Sequence, residues 1–193
     1  MKNYQVIRNA VNPQSLSLVK NALLLMKDVQ YFVTQTNPND RNKFADGIPV
    51  KDNCWSNYGG VVTESLLLEI QPQVEKAVNK KLFPTYSFSR IYWPGAVMEK
   101  HVDRPACEYS VSLCVDVNGD PWPIWFENES VILYPGDMVV YKGTEIEHWR
   151  EPYRGQQQLQ IFLHYVDQAG PYAAWRNDNR PMLGLFKPLR SQA

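Results

Sequence analysis

The chain has 193 residues, of which 44% are hydrophobic, and its 20 Lys and Arg residues balance its 20 Asp and Glu residues. This length suits one domain with a single hydrophobic core. The neutral charge balance and the lack of any basic run argue against nucleic acid as a partner, and no apolar segment approaches the roughly 20 residues that cross a bilayer.

Two helices are predicted in the N-terminal part, where the first residues show none of the apolar stretch of a signal peptide. The first helix follows Asn12-Pro13 and places apolar residues at helical spacing as far as Met26. The second runs from about Thr63, an N-cap residue, to Lys80. Pro72 within it predicts a kink or a break into two pieces.

From Thr85 onward, short strands alternate with turns that contain Pro or Gly. The predicted strands are residues 86–93, 108–117, 123–126, 130–134, 138–142 and 158–166. Asn118-Gly119 predicts a hairpin turn, because both residue types tolerate positive φ. Many short strands at regular spacing favour a β-sandwich or barrel, with the two helices as covers.

Two of these strands have one aliphatic face and one mixed polar face. The aliphatic faces are Tyr109, Val111, Leu113, Val115 and Val117 in the first, and Leu159, Ile161, Leu163 and Tyr165 in the second. The mixed faces carry Ser110, Ser112, Cys114 and Asp116, and Gln158, Gln160, Phe162 and His164. We expect the aliphatic faces to pack on the helices and the mixed faces to line a ligand cavity. Contact with solvent is the alternative for the mixed faces.

The cysteines, Cys54, Cys107 and Cys114, are odd in number and lack the spacing of a metal finger. We therefore expect reduced thiols without a disulfide, and a cytoplasmic protein without a membrane partner.

The chain has only three histidines, and two of them lie in a pattern that suits a metal ion. His101-Val102-Asp103 places an imidazole and a carboxylate on the same side of an extended segment. His148 follows a Pro-Gly-Asp turn, an apolar strand and a glycine. Two histidines and one carboxylate on one side of iron(II) leave three positions for oxygen and an organic cosubstrate. Alone, the first pair could be a surface hydrogen bond and His148 a core histidine; the combination predicts His101, Asp103 and His148 as metal ligands.

This stretch resembles the prolyl-4-hydroxylase-like branch of the iron(II)/2-oxoglutarate-dependent oxygenases, of the small bacterial or phage type. The family pattern Y-x-P-G, H-x-D, a distal histidine and a final strand corresponds to Tyr92–Gly95, His101–Asp103, His148 and residues 158–166. The resemblance covers about residues 85–167. It implies a mainly β fold with flanking helices, namely a double-stranded β-helix (jelly-roll, cupin-like) barrel with helices packed on the major sheet. It also implies one oxygenase domain over 1–193, with a helical and loop N-terminal part (1–84), the barrel core (85–167) and a C-terminal extension (168–193).

The resemblance further implies iron(II) as cofactor and 2-oxoglutarate as cosubstrate, which molecular oxygen converts to succinate and carbon dioxide. The expected reaction is hydroxylation of a small molecule or peptide, such as an amino acid or a peptidyl proline, and no acid–base residue is required. Two alternatives stay open. A cupin-type metal enzyme shares the barrel without using 2-oxoglutarate, and a catalytically silent barrel would serve as a binding module.

One departure from the family concerns the cosubstrate. The family places Arg or Lys at the start of the final strand, where it binds the distal carboxylate of 2-oxoglutarate, but Gln157 and Gln158 occupy these positions. Arg150 is the first substitute, because it lies two residues beyond the distal histidine and shares its face if the strand continues. A surface ion pair is its alternative role. Arg154, in the following turn, is the second substitute, and Tyr92 and Gln158 complete the cosubstrate candidates.

Four further residues are candidates for substrate contact. His164 lies on the mixed face of the final strand, and Arg104 directly follows the carboxylate ligand. Trp55 and Tyr58 belong to the segment CWSNYGG, which is a candidate lid with a hinge at Gly59-Gly60. Each has a structural alternative. For His164 it is a buried hydrogen-bonded histidine, and for Arg104 it is shielding of the metal carboxylate. For Trp55 and Tyr58 it is packing of the rings on the barrel.

Overall fold

A computed structural model describes residues 4–36 and 53–185 of the chain. Its helices are α1 (Pro13–Thr36) and α2 (Val61–Val78). Its strands are β1 (Tyr4–Ile7), β2 (Cys54–Tyr58), β3 (Leu82–Tyr92), β4 (Met98–His101), β5 (Tyr109–Asn118), β6 (Ile124–Phe126), β7 (Glu129–Val131), β8 (Met138–Lys142), β9 (His148–Arg150) and β10 (Gln157–Asp167). A short 3₁₀ helix covers Pro105–Cys107, and 3₁₀ turns within Ala173–Asn179 are interrupted by a kink at Arg176–Asp178.

The strands form two antiparallel sheets. The larger has the order β1-β8-β5-β10-β3-β2 and the smaller the order β4-β9-β6-β7. From β3 to β10 the chain crosses between the sheets at every connection except β6 to β7. This is the strand order of a double-stranded β-helix, so the predicted fold class is confirmed.

The aliphatic face of the larger sheet packs on both helices. The core on this side contains Leu16, Val19 and Leu23 of α1, Leu66, Leu67, Ile70 and Val74 of α2, and Tyr109, Val111, Leu113, Val115, Leu159, Ile161, Leu163 and Tyr165 of the sheet. Burial of these side chains drives the packing and fixes which face of each strand points to the barrel interior. The predicted faces are therefore confirmed as far as Val115.

Beyond Val115, a bulge in β5 reverses the alternation. Asp116 consequently turns toward α1 and pairs with Lys20 at 2.7 Å, while Val117 packs against the interior cluster. The sequence predicted the opposite faces for Asp116 and Val117, because a strict period of two leaves no room for an extra residue.

Two predictions about α2 are wrong. The helix begins after Gly60 rather than at Thr63, whose hydroxyl donates to the Gly59 carbonyl at 2.8 Å. It also runs unbroken through Pro72. The carbonyl that loses its partner belongs to Leu68, on the exposed side of the helix, where water can bond it. In the described ranges, neither helix combines the length and hydrophobicity needed to span a bilayer.

The predicted Asn118-Gly119 hairpin is also wrong. Asn118 pairs with Gln157 of β10, and the chain then crosses to the smaller sheet at Gly119, whose φ is +86°. The positive φ at Gly119 was predicted correctly. Pairing with β10, and not the turn, decides which strand lies next to β5. All three cysteines are buried and unbridged, as expected.

Candidate functional site

Three side chains of the metal-binding type converge in the barrel interior. His101 ends β4 and His148 begins β9, and the pairing of these strands sets the two residues opposite each other. Asp103 follows β4, and its N–H donates to the Gly143 carbonyl at 2.7 Å. Asp103 Oδ1 lies 3.6 Å from His101 Nε2 and 3.7 Å from His148 Nε2. We call these three residues the acceptor end of the site.

Both imidazoles offer a lone pair at this point. His101 Nδ1 lies 2.7 Å from the Glu99 carbonyl oxygen, and His148 Nδ1 lies 3.0 Å from the Ile146 carbonyl oxygen. Because a carbonyl oxygen only accepts, each Nδ1 carries the proton and each Nε2 is an acceptor. The Tyr141 hydroxyl lies 3.4 Å from His148 Nε2, at the limit of a hydrogen bond.

The charges at the acceptor end also suit a cation. Burial acts to raise the pKa of Asp103, but its close approach to His101, the nearby His164 and His148, and the hydrogen bond from Ser110 bring it to about 2. Burial lowers the pKa of His148. Ligand atoms about 2.0–2.2 Å from an ion are roughly 3 Å apart at right angles, so the observed spacing needs only a small inward shift. The three residues therefore fit a divalent metal ion with open positions.

The other oxygen of Asp103 is turned away from the two histidines. Oδ2 accepts a hydrogen bond from Ser110 Oγ at 2.7 Å. Gly143 packs against the same oxygen, and a Cβ atom there would overlap Asp103 Oδ2 and the Cys107 carbonyl oxygen. Gly143 is thus needed for close approach to the carboxylate.

A cavity of about 320 Å³ opens at the acceptor end. Aromatic rings form much of its wall, from Tyr86, Phe88 and Tyr92 of β3, Tyr141 of β8 and Phe162 of β10. Arg90, Glu99 and His164 are further polar lining residues. Mainly apolar walls with a few polar groups are typical of a small-molecule site.

A buried arginine lies farther along β9. Arg150 follows His148 by two residues, and both are buried on the inner face, as the strand parity predicted. Its guanidinium donates to the Trp122 carbonyl and, at 3.3 Å, to Ser112 Oγ, and it lies 5.1 Å from the centre of the Trp122 ring. Burial lowers its pKa, and no carboxylate of the described residues acts on it. Arg150 is therefore a buried cation without an anionic partner among residues 4–36 and 53–185.

Several donors near Arg150 have no hydrogen-bond partner within the described part of the chain. They are Arg150 Nε, Gln158 Nε2, Gln160 Nε2 and the Tyr92 hydroxyl. Gln158 Oε1 accepts from the Trp122 N–H at 2.8 Å, and Gln160 Oε1 accepts from Ser112 at 3.3 Å, so each glutamine shares a neighbour with Arg150. We call Arg150, Gln158, Gln160 and Tyr92 the donor end of the site; of these, Tyr92 lines the cavity, and Arg150 interacts electrostatically with Tyr92.

Arg154 does not belong to this group. Its side chain is exposed in the turn before β10, whereas Arg150 is buried. The turn carries residue 154 outward, because the inward position of this segment is taken by Tyr153, which is buried and packs on Trp122 with ring centres 5.2 Å apart. Arg154, the second candidate for binding the distal carboxylate of 2-oxoglutarate, is thus excluded by its position.

The proposed lid is wrong. Residues 54–58 are strand β2, paired with β3 at the edge of the larger sheet. Trp55 is buried in the helix-facing core, and its Nε1 donates to Gln30 Oε1 at 2.8 Å. Tyr58 stacks on Tyr86 with ring centres 5.0 Å apart and donates to Asp178 at 2.6 Å.

Arg104 likewise binds a residue outside the cavity. Its guanidinium makes a bidentate pair with Asp178 at 2.6 and 2.9 Å, and it lies 4.5 Å from the Tyr86 ring centre. It is outside the cavity lining, whereas His164 lies within it. Of the four substrate candidates, only His164 faces the cavity.

The sequence reasoning missed Arg90, Tyr141, Ser110 and Gly143. Arg90 lies 5.1 and 5.8 Å from the ring centres of Phe88 and Tyr92, and its spacing of two from Tyr92 was a usable signal. Ser110 was on the predicted mixed face, but the sequence of one strand could not show that it bonds Asp103. Gly143 gave no signal beyond its residue type.

No family model matches the sequence, and no curated protein sequence matches it. Solved structures with a similar fold do exist. HygX from Streptomyces hygroscopicus, solved with nickel and 2-oxoglutarate, has a TM-score of 0.63 at 10% identity, over 86% of this chain and 84% of that one. The viral collagen prolyl hydroxylase of Paramecium bursaria Chlorella virus-1, in its 2-oxoglutarate complex, has a TM-score of 0.58 at 12% identity, over 85% of this chain and 95% of that one.

The α-ketoglutarate-dependent epimerase SnoN of nogalamycin biosynthesis gives a TM-score of 0.63 at 11% identity, over 97% of this chain and 88% of that one. At such identities the likeness establishes the double-stranded β-helix fold. The neighbours catalyse more than one reaction on it, so the reaction of this chain has to be argued from its site.

Proposed function

We propose that this chain is a non-haem iron(II)/2-oxoglutarate-dependent oxygenase. His101, Asp103 and His148 bind the metal, and the donor end binds the distal carboxylate of 2-oxoglutarate. One observation carries the proposal: acceptors without a cation and donors without an anion lie in the same barrel. The similar structures that contain nickel or iron and 2-oxoglutarate support it.

The spacing of the two ends suits the cosubstrate. His148 and Arg150 are two residues apart on one strand, so their Cα atoms are roughly 6.6 Å apart and their side chains project from the same face. A five-carbon diacid that chelates the metal through its keto acid end extends about this far. Its distal carboxylate then meets the guanidinium of Arg150 and the amides of Gln158 and Gln160, and a charge-assisted hydrogen bond is about twice as strong as a neutral one.

When bound together, iron(II), 2-oxoglutarate and oxygen supply the oxidant that hydroxylates an unactivated C–H bond. The residues of this chain orient the ligands and keep water out. Tyr86, Phe88 and Phe162 line the cavity with apolar surface, which shelters the reaction from solvent. No described residue needs to act as a general acid or base.

We propose an amino acid or a peptidyl residue as substrate and hydroxylation as the reaction. One protein of similar fold is a collagen prolyl hydroxylase, and another binds hygromycin B, so the fold accommodates peptides and small molecules. A cupin-type enzyme without 2-oxoglutarate is less well supported, because it would leave the buried donors around Arg150 without a function.

The test is an anaerobic titration of the protein with iron(II) and 2-oxoglutarate, followed by the weak visible charge-transfer band of the chelate. We expect the band only when both are present. Iron binding without the band would favour the cupin alternative, and binding of neither would favour a silent barrel. Arg154→Gln is the matched control, because it removes an exposed arginine and should leave the band unchanged.

A further inference from the structure

The hydrogen bonds behind Asp103 continue into the larger sheet. Ser110 Oγ lies 2.7 Å from Asp103 Oδ2, 3.1 Å from the Cys107 carbonyl oxygen and 2.9 Å from His164 Nδ1. Ser110 on β5 and His164 on β10 are register partners, so adjacent strands fix their separation. Both are buried.

The direction of these bonds follows from the proton count. A serine hydroxyl has one proton, and two of its three neighbours, a carboxylate and a carbonyl oxygen, can only accept. The proton of Ser110 therefore goes to one of them, and His164 must donate from Nδ1 to Ser110 Oγ. Donation thus runs from His164 through Ser110 to Asp103.

His164 is itself held in place. Its ring lies 4.5 Å from the Tyr86 ring, centre to centre. The ring is buried, and its Nδ1 proton is used by the bond to Ser110. The nitrogen that bears this proton cannot ligate a metal, so His164 is not a ligand through Nδ1.

We propose that Ser110 and His164 are positioning residues that hold the Asp103 carboxylate so that it offers only Oδ1 to the metal. This rests on the proposed metal site. If Oδ2 were free, the carboxylate could turn and bind through both oxygens, which would occupy a position that oxygen or the cosubstrate needs. Outer partners that orient a ligand typically change metal affinity by roughly ten- to a hundredfold.

Cobalt(II) is a suitable probe, because it resists oxidation by air and its visible absorption reports the coordination number. Calorimetric titration and visible spectra of the cobalt-loaded protein are compared for wild type, Ser110→Ala, His164→Leu and His164→Asn. We expect Ser110→Ala and His164→Leu to weaken cobalt binding about tenfold or more and to alter the spectrum. His164→Asn should restore both largely, because its amide nitrogen can donate from a position near that of Nδ1.

Ser87→Ala is the matched control. Ser87 is a buried serine of the same sheet that donates to Thr63 Oγ1 at 2.8 Å on the helix side, and its loss should leave affinity and spectrum unchanged. Wild-type binding and spectra in both Ser110→Ala and His164→Leu would overturn the inference, as would equal losses in Ser87→Ala. If Ser110→Ala does not fold, the contrast between His164→Leu and His164→Asn decides. A wild-type protein that binds no cobalt would instead refute the metal site itself.

Discussion

The acceptor end and the donor end of the barrel interior share strand β9 but differ in how their polar groups are satisfied. At the acceptor end, each outward-facing atom has a partner: both Nδ1 atoms bond carbonyl oxygens and Asp103 Oδ2 bonds Ser110. Among the described residues, this leaves Asp103 Oδ1 and the two Nε2 atoms, which face one point, for a ligand. At the donor end, four buried atoms around Arg150 lack any partner among the described residues.

This difference has an energetic meaning. A buried polar group without a partner costs roughly 1–3 kcal/mol, and native proteins contain few of them. Four such atoms around one buried cation therefore mark a place that suits a ligand with acceptor groups. The acceptor end attracts a cation and the donor end an anion, so a metal chelated by a diacid satisfies both.

The largest effect is expected from breaking the acceptor end. His101→Ala, Asp103→Ala and His148→Ala should each leave a folded barrel that no longer retains iron, with a loss well beyond the roughly hundredfold effect of an outer partner. Calorimetric iron titration under anaerobic conditions measures this, and thermal unfolding checks the fold. Wild-type affinity in any one variant would remove that residue from the site.

Gly143→Ala should break the same end without touching a ligand. The added methyl group would overlap Asp103 Oδ2 and the Cys107 carbonyl oxygen, so the carboxylate must shift. We expect iron affinity to fall by about ten- to a hundredfold together with a lower melting temperature. The matched change Gly184→Ala should also lower the melting temperature, because Gly184 has a φ of +85°, but its nearest neighbour is Val61, at 3.7 Å, so iron affinity should not change. If Gly143→Ala destabilised the fold while iron affinity stayed intact, Gly143 would have only a structural role.

The two ends also differ in how far the sequence could predict them. The spacing His101-x-Asp103 on an extended segment and the parity of Arg150 with His148 are local properties, and both placements were predicted. Tyr92 and Gln158 were also among the predicted cosubstrate candidates. The role of Gln160 and the bond between Ser110 and Asp103 depend on which strands become neighbours, which one strand cannot reveal. The predicted lid role of Trp55 was wrong for the same reason. Pairing with β3 makes residues 54–58 an edge strand and not a loop.

Breaking the donor end should leave the acceptor end intact. Arg150→Gln should raise the 2-oxoglutarate requirement by one or two orders of magnitude, or about 1.5–3 kcal/mol, with unchanged iron affinity. Arg150→Lys should recover only part of the loss, because an ammonium cannot reproduce the planar fork. The measurement is 2-oxoglutarate-dependent succinate formation over a range of cosubstrate concentrations.

Two related variants define what would contradict this prediction. The exposed Arg154→Gln should behave like wild type; if it abolished turnover while Arg150→Gln did not, the anchor would lie in the turn. If Arg90→Gln alone raised the requirement, the anchor would be on β3. If none of the three changes mattered, the cosubstrate assignment would fail.

The smallest effect, and the sharpest test of the contrast between the ends, is expected from Gln160→Met. This change keeps approximately the side-chain volume but removes an amide donor that has no partner, along with a long bond from Ser112 at 3.3 Å. Without cosubstrate, the variant should therefore melt at or slightly above the wild-type temperature, because an unsatisfied buried group is gone. With cobalt(II) and 2-oxoglutarate bound, the variant should gain less thermal stability than wild type. The cosubstrate should bind about three- to tenfold more weakly, which is a loss of roughly 0.5–1.5 kcal/mol in binding free energy. Gln156→Met, at an exposed position just before β10, should change neither quantity. A variant that lost stability without cosubstrate yet bound it normally would show that Gln160 supports the fold, and the donor end would then shrink to Arg150, Gln158 and Tyr92.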